Sequence, residues 1–175
     1  MARAEPEPAQ PEPAPTDRVS AWAALLRVHA ALVPELEREL AARHRLPLSW
    51  YDVLLELNAA PHRRLRMSEL GSRVVLSRER VSRVVDELVR AGLVARERNP
   101  EDKRSVFAVL TPAGRDRLRA AAPDYLAGIE RHFTSHLSAD EARTITAALH
   151  RVLLAADSRT HAAQPAHRGG RRSEP

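Results

Sequence analysis

The pattern of apolar and polar positions is clearest at residues 77–92, where it predicts an amphipathic helix. Four apolar residues recur at i, i+3, i+4 and i+7, the spacing that places side chains on one helix face: Val81, Val84, Val85 and Leu88. At about 100° per residue, Arg83 and Arg90 point away from that face. Ser77 can cap the amino end of this helix, and Gly92 can end it in a left-handed conformation.

A β-hairpin is predicted directly after this helix. Residues 93–98 and 105–110 are two strands, and residues 99–102, Asn-Pro-Glu-Asp, form the turn between them. The order of helix, glycine, strand and charged turn is typical of a winged helix-turn-helix. In that arrangement one helix enters the major groove of DNA and the hairpin tip reaches the neighbouring minor groove.

Helical spacing of apolar residues also precedes this segment. The predicted helices are residues 17–43, 49–59 and 68–74. Pro34 is expected to kink or split the first helix, because proline lacks an N–H and clashes with the preceding turn. Ser49 and Asp52 predict a capping box at the start of the second helix.

Two more helical regions follow the hairpin. Thr111 followed by Pro112 is a strong start signal for a helix. Pro123 is expected to interrupt that helix, and a further helix is expected to continue to about residue 136. Ser138 and Glu141 predict a second capping box, at the start of the last helix.

Composition agrees with a helical protein of one domain with tails. The chain has 175 residues, of which 43% are hydrophobic and only 3% aromatic, so the core is built of Leu, Val and Ala. No cysteine is present, which excludes disulfides and zinc–thiolate sites. We detect no apolar run of about 18 residues and no secretory signal at the amino end, so we expect no membrane span and a cytoplasmic location.

The distribution of charge points to a polyanionic partner. The net charge is +5, from 28 basic and 23 acidic residues, and basic residues crowd residues 63–104. Arg78, Arg80 and Arg83 lie in the first two turns of the helix at 77–92. A recognition helix presents this part to base edges.

Residues 46–114 resemble the MarR family (multiple antibiotic resistance regulators). The resemblance rests on LSWYDVLLEL, MSEL and LSRERVSRVVDELVRAGLVARERNPEDKRSVFAVLTPAG, and it extends over roughly residues 20–155. It implies a mainly α fold with a small β-hairpin wing. We expect a disordered Pro/Glu/Ala-rich tail at residues 1–16 and a disordered basic tail at residues 157–175. Between them lies a MarR-like domain at residues 17–156. This domain would contain a winged helix-turn-helix at about 46–111 and dimerisation helices at about 17–45 and 112–156.

The resemblance also assigns DNA-binding roles. Arg83 occupies the position that contacts bases, Arg104 of the D-x-R wing enters the minor groove, and Asp102 orients Arg104. A guanidinium can bond guanine bidentately, and a narrow minor groove attracts arginine. The alternatives are a solvated surface Arg83 and an Arg104 that only pairs with Asp102. Further contacts, mainly to phosphates, are expected from Ser77, Arg78, Arg80, Ser82 and Lys103.

A dimer and a small-molecule effector are also implied. One recognition helix reads too few base pairs for specificity, so we expect a homodimer on a pseudo-palindromic double-stranded operator. The family senses small, often aromatic anions, and the candidate ligand residues here are Trp22, His29, Trp50 and Tyr51. Each of these residues is also compatible with a role in the core.

No metal or cofactor is expected. His132 and His136 have the i, i+4 spacing that can hold Zn²⁺ on one helix, with Glu130 or His44 as a possible third ligand, but two surface histidines are the favoured interpretation. An enzyme is excluded because the chain has no cysteine nucleophile, no G-x-S-x-G and no phosphate-binding glycine loop.

The sequence therefore predicts a dimeric, sequence-specific transcriptional regulator, a repressor rather than an activator, whose DNA binding a small ligand releases. The alternative is a nonspecific or architectural DNA-binding protein without an effector. A degenerate member that only dimerises is disfavoured, because Arg83 and the D-x-R wing are intact.

Overall fold

The structure, a computed structural model, describes residues 15–74, 76–102 and 105–162. The chain divides into two units, one ending at Ile129 and the other beginning at Glu130. The described residues form six α-helices: α1 (Pro15–His44), α2 (Leu48–Ala59), α3 (Met67–Arg73), α4 (Arg78–Arg90), α5 (Pro112–His132) and α6 (Ala139–Ala162). Three strands form one antiparallel sheet in the order β1-β3-β2: β1 (Arg64–Arg66), β2 (Val94–Arg98) and β3 (Val106–Leu110).

The core of the first unit lies between α2, α3, α4 and the sheet. The predicted apolar face of α4 is confirmed, because all its members are buried: Val81, Val84, Val85 and Leu88. Val53, Leu54 and Leu57 of α2 are fully buried opposite them. Burial of a Val or Leu side chain contributes about 1.5–3 kcal/mol, so this packing fixes α4 with its other face outward.

The sheet contains the predicted hairpin and one strand that the sequence did not reveal. The hairpin pairs Val94 with Leu110 and Arg98 with Val106. The missed strand, β1, pairs Leu65 with Ala108 on the other side of β3. β1 has three residues, Arg-Leu-Arg, which is too short for a period-two pattern to stand out.

Neither internal proline splits its helix, whereas Pro123 was expected to interrupt its helix and Pro34 to kink or split α1. Pro34 lies inside the continuous α1, and Pro123 lies inside the continuous α5. Both prolines are exposed, so water can bond the carbonyl group that each leaves without a partner. Buried residues on both sides of Pro123, among them Ala121 and Gly128, hold α5 as one helix.

Two of the three side-chain caps predicted outside α4 are confirmed. The Gly114 N–H donates to Thr111 Oγ1 at 3.0 Å at the start of α5. Before α6, Ser138 N–H donates to Glu141 Oε2 at 2.8 Å. The predicted Ser49 capping box is wrong, because α2 begins at Leu48 with Pro47 as its N-cap residue and no side-chain cap.

Helix α1 leaves much of its apolar surface exposed within its unit. The exposed side chains are Val19, Trp22, Leu25, Leu26 and Val28. By length and composition alone, Asp17–His44 would also suffice to cross a membrane, which inspection of the sequence did not detect. A helix that packs against a partner meets the same criteria, so this property alone does not indicate insertion.

In the second unit, α6 continues past residue 156 to Ala162, whereas the sequence predicted a disordered tail from residue 157. Val152, Leu153 and Leu154 are exposed on α6. The predicted tail at residues 1–16 falls almost entirely outside the described residues, as do residues 163–175.

Candidate nucleic-acid interface

The outer face of α4 presents arginines to solvent. Arg80 and Arg83 are exposed, and Ser82 is half-buried beside them. Ser77 is the N-cap residue, as predicted, and its Oγ accepts the Arg80 N–H at 3.4 Å. Gly92, just beyond the helix, has φ 73°, the left-handed conformation that glycine adopts readily. The side chain of Arg78 lies outside the described residues.

Helix α3 precedes α4 and packs against it, which completes the helix-turn-helix. Leu70 of α3 is fully buried in the shared core. Helix α3 begins at Met67, one residue before the predicted start at Ser68, and Glu69 Oε2 accepts the Arg66 N–H at 3.2 Å. This bond satisfies a backbone donor at the start of the helix.

The hairpin turn is organised by a buried asparagine that the sequence analysis did not single out. Asn99 is only 2% exposed, and its Nδ2 donates to Ser105 Oγ at 2.8 Å. Its Oδ1 accepts the Glu101 N–H at 3.0 Å, the local bond that makes Asn common in turns. Asp102 is exposed beyond this anchor. Arg104, which carries the predicted minor-groove contact, and Lys103 lie outside the described residues.

An ion pair joins α4 to the hairpin. Arg96 Nη2 of β2 lies 2.8 Å from Asp86 Oδ1 of α4. Because both groups are partly exposed, the pair contributes at most about 1 kcal/mol to stability. Its main consequence is geometric, since it ties the hairpin to the helix that would enter the adjacent groove. Arg96 was missed, because only the fold brings it beside Asp86.

An open cavity of about 460 Å³ is lined by residues of α3, α4 and the hairpin. Among the described residues none of its lining side chains is acidic, and its two arginines are Arg66 and Arg96, the latter paired with Asp86. The lining residues are Arg66, Met67, Ser68, Gly71, Val81, Ser82, Arg96, Ser105 and Val106. Arg66 also lies near Phe107 on the sheet, with 5.9 Å between its Cζ and the ring centroid. Positive charge and hydroxyl donors suit contact with a phosphate backbone.

The four predicted ligand residues lie in different environments. Trp22 is 61% exposed on α1, and His29 is exposed on the same helix. Trp50 Nε1 donates to Glu87 Oε2 at 3.0 Å, which ties α2 to α4. Tyr51 is buried, and its ring centroid lies 4.5 Å from that of Tyr125 in α5. The structure therefore does not gather these four side chains into one site, and their binding of a ligand stays a prediction.

The predicted pair of zinc-spaced histidines is not on one helix. Helix α5 ends at His132, and His136 ends a separate 3₁₀ turn, so the i, i+4 geometry is lost. Among the described residues, no group of three or more His, Cys, Asp or Glu could hold a metal ion. His44, one of the possible third ligands, instead bonds Asp124, with 2.7 Å between Nε2 and Oδ2. Hydrogen bonds lower the pKa of the Asp124 carboxyl; the bond with His44 has the larger effect and the bond from Arg43 the next.

Removing the N-cap of α4 is expected to destabilise the protein. Ser77→Ala leaves the Arg80 N–H without its capping acceptor and should lower the free energy of unfolding by about 0.5–1 kcal/mol. Urea denaturation would measure this loss. Ser68→Ala is the matched control, since Ser68 is exposed and is not the N-cap residue of α3, and its effect should stay below about 0.5 kcal/mol. Equal effects of the two substitutions would contradict the capping role.

Comparison with known proteins agrees with this geometry. Residues 44–105 match the model of the MarR family. The HTH-type transcriptional regulator YkoM of Bacillus subtilis (strain 168) is 42% identical over 76 residues, which are 43% of this chain and 49% of YkoM. The HTH-type transcriptional repressor YetL of the same organism is 32% identical over 79 residues, 45% of this chain and 47% of YetL. The chain thus spans about half the length of the curated relatives it matches.

A solved structure extends the similarity to most of the chain. Sco3205, a MarR family transcriptional regulator from Streptomyces coelicolor solved in complex with DNA, aligns with a TM-score of 0.73 at 28% identity. The alignment covers 91% of this chain and 96% of Sco3205. These comparisons confirm the predicted resemblance and the mainly α winged helix-turn-helix fold. The matched proteins are named as transcriptional regulators.

Proposed function

We propose that this chain, which belongs to the MarR family, is a sequence-specific DNA-binding regulator of transcription that acts as a homodimer. The observation that carries the proposal is the division of α4 into two faces. Val81, Val85 and Leu88 are buried, so the helix cannot rotate without exposing them. Arg80 and Arg83 therefore stay on the surface, where a major groove can receive them.

Within this proposal, Arg83 contacts base edges, and Arg104 enters the minor groove with Asp102 orienting it. Arg83 suits base contact because its exposed guanidinium carries two donors in the geometry of guanine O6 and N7. The remaining predicted residues contact mainly the backbone: Ser77, Arg78, Arg80, Ser82 and Lys103. The Asp86–Arg96 pair supports a fixed distance between α4 and the hairpin, as contact with two adjacent grooves requires.

A homodimer would explain the exposed apolar side chains of α1 and of α6. Trp22 and Leu26 of α1 and Leu153 of α6 are large and exposed in the single chain. Large apolar side chains exposed in this way on each of the two helices are typical of an interaction surface. Two-fold pairing would place two copies of α4 about one helical turn of DNA apart, which requires a pseudo-palindromic operator.

The regulator is proposed to act as a repressor that a small molecule releases from DNA, in the cytoplasm. The similarity to YetL, which is known as a transcriptional repressor, supports repression as the direction of regulation. Release requires only that the ligand bind more tightly to the conformation with poor DNA affinity. The resemblance to the family supports such an effector.

The proposal is tested by selecting bound sequences from random duplex DNA and then measuring affinity at 200 mM salt. The selected sequence should be pseudo-palindromic and should bind about 10³-fold more tightly than its scrambled counterpart. Analytical ultracentrifugation should show two copies of the chain per duplex. A ratio near one would favour the nonspecific or architectural alternative. A single copy per duplex would contradict the dimer.

A further inference from the structure

Helix α4 carries three acidic side chains, of which one has no partner in the part of the chain that the structure describes. Asp86 pairs with Arg96 of β2, with 2.8 Å between Oδ1 and Nη2. Glu87 Oε2 accepts the Trp50 indole N–H at 3.0 Å. Glu79 is exposed and forms no ion pair or side-chain hydrogen bond with any other described residue. Its carboxylate is therefore available to accept hydrogen bonds from a molecule outside the chain.

Glu79 lies at the centre of the outward face of α4. At about 100° per residue, it is rotated by about 170° from the middle of the buried stripe. Arg83 follows one turn later on the same face, because side chains at i and i+4 are neighbours on a helix surface. Glu79 is also in the first turn of α4, the part of a recognition helix that reaches base edges.

A carboxylate at this position opposes DNA binding unless it contacts a base. DNA carries one negative charge about every 1.7 Å along its axis, so Glu79 repels the backbone that Arg80 and Arg83 attract. In the major groove, the amino groups that can donate to a carboxylate are cytosine N4 and adenine N6. Adenine also presents the acceptor N7 beside its amino group, which would repel the second carboxylate oxygen. Cytosine is therefore the better partner.

We propose that Glu79 is a specificity-determining residue, whose carboxylate accepts a hydrogen bond from cytosine N4 in the major groove. This inference rests on the proposed function and adds a base preference to it. The Cβ atoms of residues at i and i+4 are about 5–6 Å apart, and successive base pairs are about 3.4 Å apart. A guanine contacted by Arg83 would thus lie one or two base pairs from the cytosine contacted by Glu79.

The effect of Glu79 would be mainly to reject other bases. Guanine presents O6 and N7, and thymine presents O4, all of which are acceptors. Against any of them the carboxylate would lose water without gaining a donor, which is costly. The arginines of α4 attract every sequence, so a repulsive group among them is what converts general affinity into discrimination.

A purely structural role of Glu79 makes a different prediction. A negative charge in the first turn of a helix interacts favourably with the helix dipole. Loss of that interaction would lower the free energy of unfolding, but it would not change which base is preferred at one position of the operator. The base preference at a single position is therefore the decisive measurement.

The test is selection of bound sequences from random duplex DNA by the full chain, followed by substitution of each base of the selected half-site. The wild type should require cytosine at one position, where any other base weakens binding at least about tenfold. Glu79→Gln should prefer adenine at that position, because a glutamine side chain matches adenine N6 and N7. Its preferences at the remaining positions should be those of the wild type.

Two further variants complete the test. Glu79→Ala should reduce the preference at that position to below about threefold, and it should bind scrambled DNA at least about twofold more tightly because a repulsive charge is gone. Glu37→Gln removes an exposed carboxylate of α1 and is the control, so it should keep every wild-type preference. Circular dichroism would verify that the variants fold.

The outcomes separate this inference from the proposed function. If the wild type selects an operator and both Glu79 variants keep its preference at every position, the inference is overturned and the proposed function stands. The same holds if only the free energy of unfolding changes. If the wild type selects no sequence at all, the inference and the proposed function are both wrong.

Discussion

Gly114→Ala is expected to lower the free energy of unfolding by about 3 kcal/mol or more. This is the largest loss of stability that we predict for a substitution in this chain. A Cβ at this position would lie 2.1 Å from the backbone oxygen of Leu93 and 2.8 Å from Leu110 Cδ1. The backbone oxygen cannot move away by a change of rotamer. The start of α5 would therefore have to separate from the strand that follows α4.

The clash falls where several backbone bonds converge. Gly114 N–H donates to Thr111 Oγ1, and the Thr111 N–H donates to the Leu93 carbonyl at 3.1 Å. The Thr111 hydroxyl itself lies 2.8 Å from the Gly92 carbonyl. Displacing α5 would thus weaken two sets of bonds at once: the N-cap bond of α5, and the bonds from Thr111 to the carbonyl groups of Gly92 and Leu93, which follow α4.

Urea denaturation followed by circular dichroism would measure this effect. Gly71→Ala is a matched control, because it is the same substitution inside α3 with no atom within 4 Å of the new Cβ. It should be neutral or stabilise the protein by up to about 1 kcal/mol, since alanine is the better helix former. A Gly114→Ala protein within about 1 kcal/mol of the wild type would show that the contact with Leu93 relaxes freely.

Arg83→Ala is expected to reduce discrimination between operator and scrambled DNA by about 1–3 kcal/mol, as loss of a bidentate base contact does. The fold should be unaffected, because the side chain is exposed. Competition binding with selected and scrambled duplexes at fixed salt measures the ratio. Denaturation of the variant would verify that stability is unchanged.

Arg90→Ala provides the control for Arg83. Arg90 is also exposed, but it lies in the last turn of α4, and its Nε donates to the Asp86 carbonyl at 3.3 Å. The amino-terminal part of a recognition helix contacts the bases, so loss of Arg90 should leave discrimination unchanged. A similar loss from both substitutions would indicate a general effect of charge, and no loss from Arg83→Ala would remove its assignment as a base reader.

The elements that the sequence predicted well depend on local signals. The period of Val81 and Val85 identified the buried face of α4, and Ser77 marked its start. Thr111 and Ser138 marked the starts of α5 and α6 in the same way. Such signals act within one or two turns of the residue that carries them, so they are legible without knowledge of the fold.

Other features were hidden because they depend on residues far apart in the chain. Trp50 was expected to be a ligand or core residue; it packs against the core, and its indole N–H also donates to Glu87 of α4, which the sequence did not indicate. Strand β1 forms because β3 offers an edge with which it can pair. Pro34 was expected to kink or split α1 and Pro123 to interrupt its helix, whereas each lies inside one continuous helix.

By itself, then, the sequence determined most of the helices and their order, the hairpin, the outward arginines of α4 and the resemblance to the MarR family. These follow from short-range periodicity, capping and charge, which each segment carries in its own residues. Only the tertiary structure decided that Asp86 meets Arg96 and that Asn99 anchors the turn. The reason is that these contacts depend on how the segments are brought together when the core packs. No local pattern in either segment indicates which residues will meet.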